Sequence, residues 1–521
     1  MSVDAISLEV FKNLLVSVAE EMGVALRRAA FSPNIRERLD FSCAAFDADG
    51  QMVAQAAHIP VHLGSMPASV RAALDRFPDL GPGDIIIVND PYHGGTHLPD
   101  VTLVSGVYVD SAPAFFVASR AHHADVGGMS PGSLPLSSEL YQEGIIIPPV
   151  RLFDRGRRAE GVLALITANS RAPHERIGDL EAQIAAHRVG EARLNALIAT
   201  HGLDRLREHA AALIDYTRRM TEAAIDALPD GVYTFEDALE GDGQAQFRIP
   251  IRAAVTVEGR RLTVDFTGTA AQVAGNVNAV TPIAVSAVGY CVRLLSGEDL
   301  PVNAGCFAPV TVIAPEGSLL NPRFPAAVAV GNTETGQRVV DVVLGALAGA
   351  LPERIPAASQ GSMNNVTIGA AVGGVQRVYY ETVGGGHGAS AAGSGLSGRH
   401  SHMTNTLNTP VEALEAAYPL RVLAYALRDG SGGAGLHRGG DGLRREYELT
   451  TGATVTLNCE RRDLAPYGLA GGTDGLPGVN TIHRGESAES VPAKWTGRLD
   501  AGDRIVVETP GGGGWGVAKQ D

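Results

Sequence analysis

Two histidines, two aspartates, two glycines and two prolines fall within the twelve residues Asn89–Asp100, NDPYHGGTHLPD. Imidazole and carboxylate are the side chains that bind divalent metals and move protons near neutral pH. The preceding GDIIIV predicts a buried strand, so His93, His97 and Asp100 fall in a loop at a strand end, where sites are usually built. Two more segments offer the same residue types beside strands: RAHHADVGG with His122, His123 and Asp125, and RERLDFSC with Glu37 and Asp40. If these strands are neighbours, their ends bring together two imidazoles and two carboxylates. That set suits Mn²⁺, Fe²⁺ or Zn²⁺. Taken singly, each segment also reads as surface histidine and capping aspartate. Three of them together strengthen the metal reading, with surface histidines and capping aspartates as its alternative.

Other patterns carry less. GMSPG (128–132) matches a nucleophile elbow around Ser130, but the oxyanion donor would be Pro131, which has no N–H. GSGLSG (393–398) and GGGGWG (511–516) match a dinucleotide fingerprint but lack its strand-to-helix setting. Pro60 rules out a helical His58/His62 pair, and hydrogen bonding or packing is expected of both. The Gly-rich stretch 381–419 carries His387, His400, His402, Asn405 and Asn408, then Glu412 and Glu415. It reads equally as a mobile loop with caps or as a substrate loop. GNTETGQRVVD (331–341) can present Asn332, Thr333, Glu334 and Arg338 at a helix start, with Thr333 or Thr335 as a simple cap.

The positioning elements follow from periodicity. Phe11, Leu14, Leu15, Val18, Met22 and Leu26 mark an amphipathic helix over 7–30. Leu39–Phe46, a DADG turn and Met52 onward form a hairpin, followed by a helix in PASVRAALDRF and strands in LVSGVYVD and PAFFVASRAHH. Residues 171–202 and 203–228 predict a helical hairpin that breaks near Gly202. At 521 residues the chain exceeds one core. The expected class is α+β and multidomain: an N-terminal α+β region (1–170) bearing the candidate metal residues, the helical hairpin (171–229), an α+β region with Gly-rich loops (230–430) and a β-rich domain (431–521).

Composition narrows the function classes. A net charge of -15 with no basic tract disfavours nucleic acid. Only Lys12, Lys494 and Lys519 are lysines, and none follows Gly, so there is no P-loop. Cys43, Cys291, Cys306 and Cys459 show no CxxC spacing and predict reduced, buried thiols. With no apolar run of membrane length and no signal-peptide core, a cytoplasmic protein is expected.

Taken together, SPNIRERLDFSCAAFD, HIPVHLGSM, NDPYHGGTHLPDVTLV, RAHHADVGGMSPGS, EGIIIPPV, GDLEAQIAA, VDFTGTAAQVAGNVN, GNTETGQRVVD and TNTLNTPVEALEAAYP resemble the hydantoinase B/oxoprolinase family. The resemblance is collinear over nearly the whole chain. It implies the metal-bearing subunit of an ATP-dependent complex that opens hydantoins, 5-oxoproline or lactams. ATP and Mg²⁺ would sit on a separate hydantoinase A-type partner in a hetero-oligomer. Related complexes carboxylate acetone or acetophenone, so a ketone carboxylase subunit is the alternative. The implied metal ligands are Asp40, His97, Asp100 and His122. His123 and Glu37 are the implied catalytic groups: His123 as an acid/base facing away from His122, and Glu37 also as an alternative to Asp40.

Overall fold

The computed structural model describes residues 3–56, 59–297 and 300–518. The N-terminal helix α1 (Ala5–Ala29) starts where the Asp4 carboxylate accepts the Ile6 and Ser7 N–H groups, and it ends with Arg27 and Arg28 at its negative pole. Its buried stripe is Phe11, Leu15, Val18, Met22 and Leu26, while Leu14, also expected on the stripe, is half-buried. A single turn, α2 (Pro33–Arg36), leads to the hairpin β1 (Phe41–Asp47) and β2 (Met52–Gln55). Then come α3 (Ser65–Arg76), β3 (Ile85–Val88), β4 (Asp100–Val109), β5 (Ala112–His122), β6 (Val150–Asp154) and β7 (Arg157–Arg158). These strands make an antiparallel sheet in the order β2-β1-β5-β4-β3-β6-β7.

Both faces of this sheet are covered, which explains its nearly continuous apolar strands. One face packs Ala44, Phe46, Val104 and Phe116 on Met66 and Val70 of α3. The other packs Cys43, Phe115 and Val117 on α1 and on two long helices, α5 (Pro173–His201) and α6 (Leu203–Asp226), which follow the short α4 (Glu160–Ala168). Gly202 separates α5 from α6 at φ 82°, where the sequence predicts the break. The helical hairpin is therefore part of the first region's core, because Ala182, Ala186, Leu194, Leu206 and Leu213 complete it.

The second sheet has the order β11-β10-β9-β8, from β8 (Gly231–Leu239), β9 (Ile249–Glu258), β10 (Arg261–Asp265) and β11 (Val310–Ile313). Helix α7 (Thr281–Ser296) lies between β10 and β11 in the chain. A π-helical turn, Gly331–Thr335, opens α8 (Gly336–Leu347). Two sheets complete the fold: β13-β12-β16-β19 and β14-β15-β20-β17-β18. Their strands are β12 (Asn365–Val372), β13 (Val375–Glu381), β14 (Leu420–Arg428), β15 (Gly442–Leu449), β16 (Ala453–Asn458), β17 (Val479–Arg484), β18 (Ser487–Val491), β19 (Lys494–Leu499) and β20 (Arg504–Glu508), with α9 (Val411–Ala417) before β14.

Both of these sheets take strands from either side of residue 430, so the boundary expected at 430/431 cuts through them. The Gly-rich segment there is not a linker. Its backbone is bonded into the interior, with Gly433 N–H donating to Gly512 O and Gly440 N–H to His387 O, both at 2.9 Å. Among the described residues no helix is long and apolar enough to cross a membrane. All four cysteines are buried, and none is in a disulfide.

Leu15 is fully buried where α1, α5 and the first sheet meet. Leu15→Ala is expected to destabilise the protein by roughly 2–5 kcal/mol, read as a lower urea midpoint.

Candidate metal centre

The Asn89–Asp100 loop is held from both sides. The Asn89 carboxamide donates to Leu98 O (2.8 Å) and Ile145 O (3.0 Å) and accepts from Ile147 N–H (2.7 Å). Asp90 accepts the Tyr92 N–H (2.9 Å) and pairs with His93 Nδ1 (2.7 Å). Gly94 sits at φ 87°, and a Cβ there would meet the Ala68 backbone at 2.5 Å. The chain thus doubles back, with Gly95 N–H donating to Asp90 O at 2.9 Å. His97 then enters the interior, and Asp100 becomes the first residue of β4 rather than a loop residue.

The ladder does the rest. Asp100 lies directly opposite His122, the last residue of β5. On the other side of β5, His122 N–H donates to Asp40 O at 3.0 Å, just before β1 begins. Three neighbouring strands therefore end level, carrying Asp100, His122 and Asp40. His97 Nε2 lies 3.2 Å from Asp100 Oδ1 and 3.2 Å from His122 Nδ1, and His122 Nδ1 is 3.3 Å from Asp100 Oδ1. Among the described residues this is the group of three His, Cys, Asp or Glu side chains whose ligand atoms converge within 4.8 Å.

Neighbours fix these donors. His97 Nδ1 donates to Ala329 O at 2.9 Å, which leaves the Nε2 lone pair facing the cluster. The Glu143 carboxylate holds the same segment by accepting Val328 N–H (2.8 Å) and Ala329 N–H (3.0 Å). Thr96 Oγ1 donates to Asp100 Oδ2 at 2.5 Å. Burial works against the Asp100 carboxylate, but the His97, His122 and His62 imidazoles outweigh it and hold Asp100 well below the usual range. Burial also pulls His97 down, yet Asp100 and the Ala329 carbonyl leave it raised; for His122, burial prevails and the shift is downward.

Behind the donors, the His122 ring stacks on Tyr380 (centroids 4.6 Å apart, 19° between planes). The Arg38 guanidinium covers Tyr380 at 4.7 Å and reaches Asp40 Oδ2 at 3.6 Å. A cavity of about 20 Å³ lies among Asp40, His62, Asp100, His122, Asn332 and Tyr380, enough for one water or one ion. Ile59 lines this cavity and also an outer cleft of about 310 Å³, bounded by Val24, Leu39 and Phe41. A cavity of about 880 Å³ lies beside Tyr92 and His93 and is lined by none of the three donors.

The other residues singled out from sequence fall as follows. Asp40 lines the cavity but turns toward Arg38 and is not one of the converging three. Glu37 does not reach the cluster. It follows α2 and pairs with Arg36 at 2.9 Å. His123 points to the opposite face of the sheet, as alternation requires, and its Nε2 bonds Gln183 Oε1 at 2.9 Å. Burial, with the nearby Arg176 guanidinium, lowers it to about 4, so it is a neutral packing residue rather than an acid/base at this cluster. Asp125 pairs with Arg171 at 3.0 Å. His58 lies outside the described residues.

His62 does more than the sequence promised. Pro60 starts a short 3-10 turn that aims it inward, with Nδ1 bonded to Ser42 Oγ (2.8 Å) and Nε2 3.5 Å from Asp100 Oδ2. In the Gly-rich stretch, Thr404 lines the cavity and Asn405 the outer cleft. His387 instead bonds His400 O (2.8 Å), and His402 pairs with Asp341 (3.3 Å). Thr335 does not cap α8; its hydroxyl donates to Val277 O.

The residues fit a divalent ion. Two imidazole nitrogens and a carboxylate oxygen, 3.2–3.3 Å apart, are spaced as neighbours in one coordination shell, where such ligands sit about 2.0–2.2 Å from the ion. His62 Nε2 and His122 Nε2 are buried with no hydrogen-bond partner. His97→Ala or Asp100→Ala is expected to abolish divalent-ion binding in calorimetry, and Thr96→Val to weaken it roughly 10–100-fold. His123→Gln is expected to leave it unchanged. Stoichiometric metal retained by His97→Ala would remove the site.

Glu143 gives a pH dependence. Burial pushes its carboxyl up to about 7, against the lowering hydrogen bonds from Ser137, Val328 and Ala329. The folded chain keeps this proton where the unfolded chain has released it. Stability is therefore lost as pH rises from about 4.5 to about 7. In Glu143→Gln, the fall of the urea midpoint across this window is expected to become shallower.

Known proteins share this architecture. The chain is 39% identical over 545 residues to 5-oxoprolinase 1 of Arabidopsis thaliana, covering 98% of this chain but only 42% of that one. It is 33% identical over 535 residues to the B-type subunit of a putative D-/L-hydantoinase from a Pseudomonas species, covering 99% and 90%. Among solved structures, the ATP-dependent caprolactamase of Pseudomonas jessenii superposes with a TM-score of 0.93 at 28% identity, over 99% of this chain and 92% of that one. An acetone carboxylase shares the fold, with a TM-score of 0.87 at 17% identity over 98% and 76%. The hydantoinase B/oxoprolinase family profile matches residues 4–518, and the chain belongs to that family.

Proposed function

We propose that this chain is the metal-bearing subunit of an ATP-dependent cyclic-amide hydrolase. The observation that carries this reading is the buried His97–Asp100–His122 triangle, with one small cavity against it. A divalent ion held there supplies Lewis acidity toward an amide carbonyl. His97, Asp100 and His122 hold the ion, and Asp40, across β5 from Asp100, is the candidate for a fourth ligand. The Ala329 carbonyl keeps the His97 lone pair inward, Thr96 pins the carboxylate, and the Arg38–Tyr380 stack limits rotation of His122. The cavity admits little water, which strengthens each electrostatic contact within it.

An amide is a poor electrophile with a poor leaving group, so an energy source is needed. The caprolactamase is ATP-dependent, and the Pseudomonas relative is one subunit of a putative hydantoinase. The subunit naming of that relative, matched over 99% of this chain and 90% of its own length, supports a separate A-type polypeptide that uses ATP and Mg²⁺ to activate the amide. The competing reading, an ATP-dependent ketone carboxylase subunit, draws on the fold shared with acetone carboxylase.

The metal-loaded chain alone is expected to bind its ion but open no ring. Addition of the A-type partner and ATP should give ring opening with stoichiometric ATP use. Full turnover by the chain alone would overturn the division of labour. Fixation of labelled bicarbonate, in place of hydrolysis, would favour the carboxylase.

A further inference from the structure

The cavity is also lined by Asn332, Thr333, Tyr380, Thr382 and Thr404. Most of its polar groups are already engaged. Thr333 Oγ1 donates to Val330 O (3.2 Å), and Tyr380 OH to Asn365 Oδ1 (2.8 Å). Thr382 Oγ1 accepts from Arg38 (3.0 Å) and meets Thr406 Oγ1 (3.0 Å), which also lies 3.3 Å from Thr404 Oγ1. Asn332 differs. It is 4% exposed, it lines the cavity, and its side-chain oxygen is buried without a hydrogen-bond partner. Burying a carboxamide in this way is unfavourable unless something binds to it.

The backbone holds Asn332 in place. It is the second residue of the π-helical turn Gly331–Thr335, a form that concentrates at functional sites. At Gly331 the chain passes so close to Asn278 that a Cβ would fall 1.9 Å from the Asn278 carbonyl oxygen. The backbone of the turn is packed closely there, and it carries Asn332 at the cavity wall.

We propose that Asn332 is the residue that recognises the substrate's amide edge and selects for a ring N–H. This rests on the cyclic-amide reading above and specifies which cyclic amides the site accepts. In a small ring the amide is fixed with N–H and C=O on the same side. A primary carboxamide offers a C=O and an N–H at matching spacing, so the two edges form paired hydrogen bonds, the ring N–H donating to the Asn332 oxygen and the Asn332 N–H donating to the ring C=O. A ketone or an N-alkylated ring has no N–H and leaves the Asn332 oxygen unsatisfied. Such a mismatch discriminates more strongly than a change in apolar bulk. Because the cavity holds about one water, the ring stays outside it.

The test uses the full metal-loaded chain, with binding measured by ligand-observed NMR. The probes are 2-piperidone, N-methyl-2-piperidone and cyclohexanone. Wild type is expected to bind 2-piperidone at least about tenfold more tightly than the other two, a step on the scale of one lost hydrogen bond in a desolvated site. Asn332→Ala is expected to erase that preference while keeping its metal content. If Asn332→Ala keeps the preference, or loses the metal, Asn332 is not the recognition residue. Equal binding of 2-piperidone and its N-methyl form by wild type, or no binding of any probe, also overturns the proposal while leaving the cyclic-amide reading to its own assay. Preference of wild type for cyclohexanone would overturn the cyclic-amide reading itself.

Discussion

One register supports the whole site: the antiparallel pairing that sets Asp100 of β4 against His122 of β5, with Asp40 level on the strand beyond. Side chains alternate across a sheet, so a slip of one residue would set Asp100 and His122 on opposite faces. His123 shows what the other face offers, since it points away from the cluster to a glutamine of α5. The register is secured by burial on both faces. Val117 and Ala121 of β5 pack under α1 and α5, while Phe116 and Ala118 pack on α3. The long N-terminal helix and the helical hairpin thus act at a distance, as the clamp that fixes which face the imidazoles take.

Such a cluster is costly to bury. A carboxylate away from water needs charge and hydrogen-bond partners on every side. Asp100 has Thr96 and three imidazoles around it, and Asp40 has Arg38. Distant segments supply the remaining contacts: Ala329 from the middle of the chain, and Tyr380 from β13. The site is consequently a junction of three parts of the chain, and the regions read separately from sequence meet in it.

That arrangement explains what was legible in the sequence. The stripe of α1, the apolar strands and the break at Gly202 are local patterns, and local patterns are visible in one dimension. His97, Asp100 and His122 stood out because each lies beside a strand in a segment dense with ligand-type side chains. Glu37 and Asp40 were hard to separate because Leu39 between them takes φ 58°, which breaks the alternation that periodicity relies on. His62 was undervalued because Pro60 argued against a helix, whereas a 3-10 turn tolerates it and aims the ring inward. Tyr380 carries no local mark at all and matters through contacts made across hundreds of residues, whereas Asn332 lies in GNTETGQRVVD, which the sequence marks as a helix start able to present it. The Gly-rich segments misled in the opposite sense. Composition suggested a domain boundary at 430/431, but the glycines there let loop backbones approach and bond closely.

The small cavity and the larger cleft that share Ile59 have an evolutionary consequence. Under the proposed function, the inner space tests only a functional group, and the outer space tests the molecule that carries it. Substitutions at Val24, Leu39 or Phe41 then reshape the accepted ring without disturbing the reactive centre. A scaffold divided in this way can diversify among five-, six- and seven-membered rings by drift along one helix and one strand edge, while the donor triangle stays fixed.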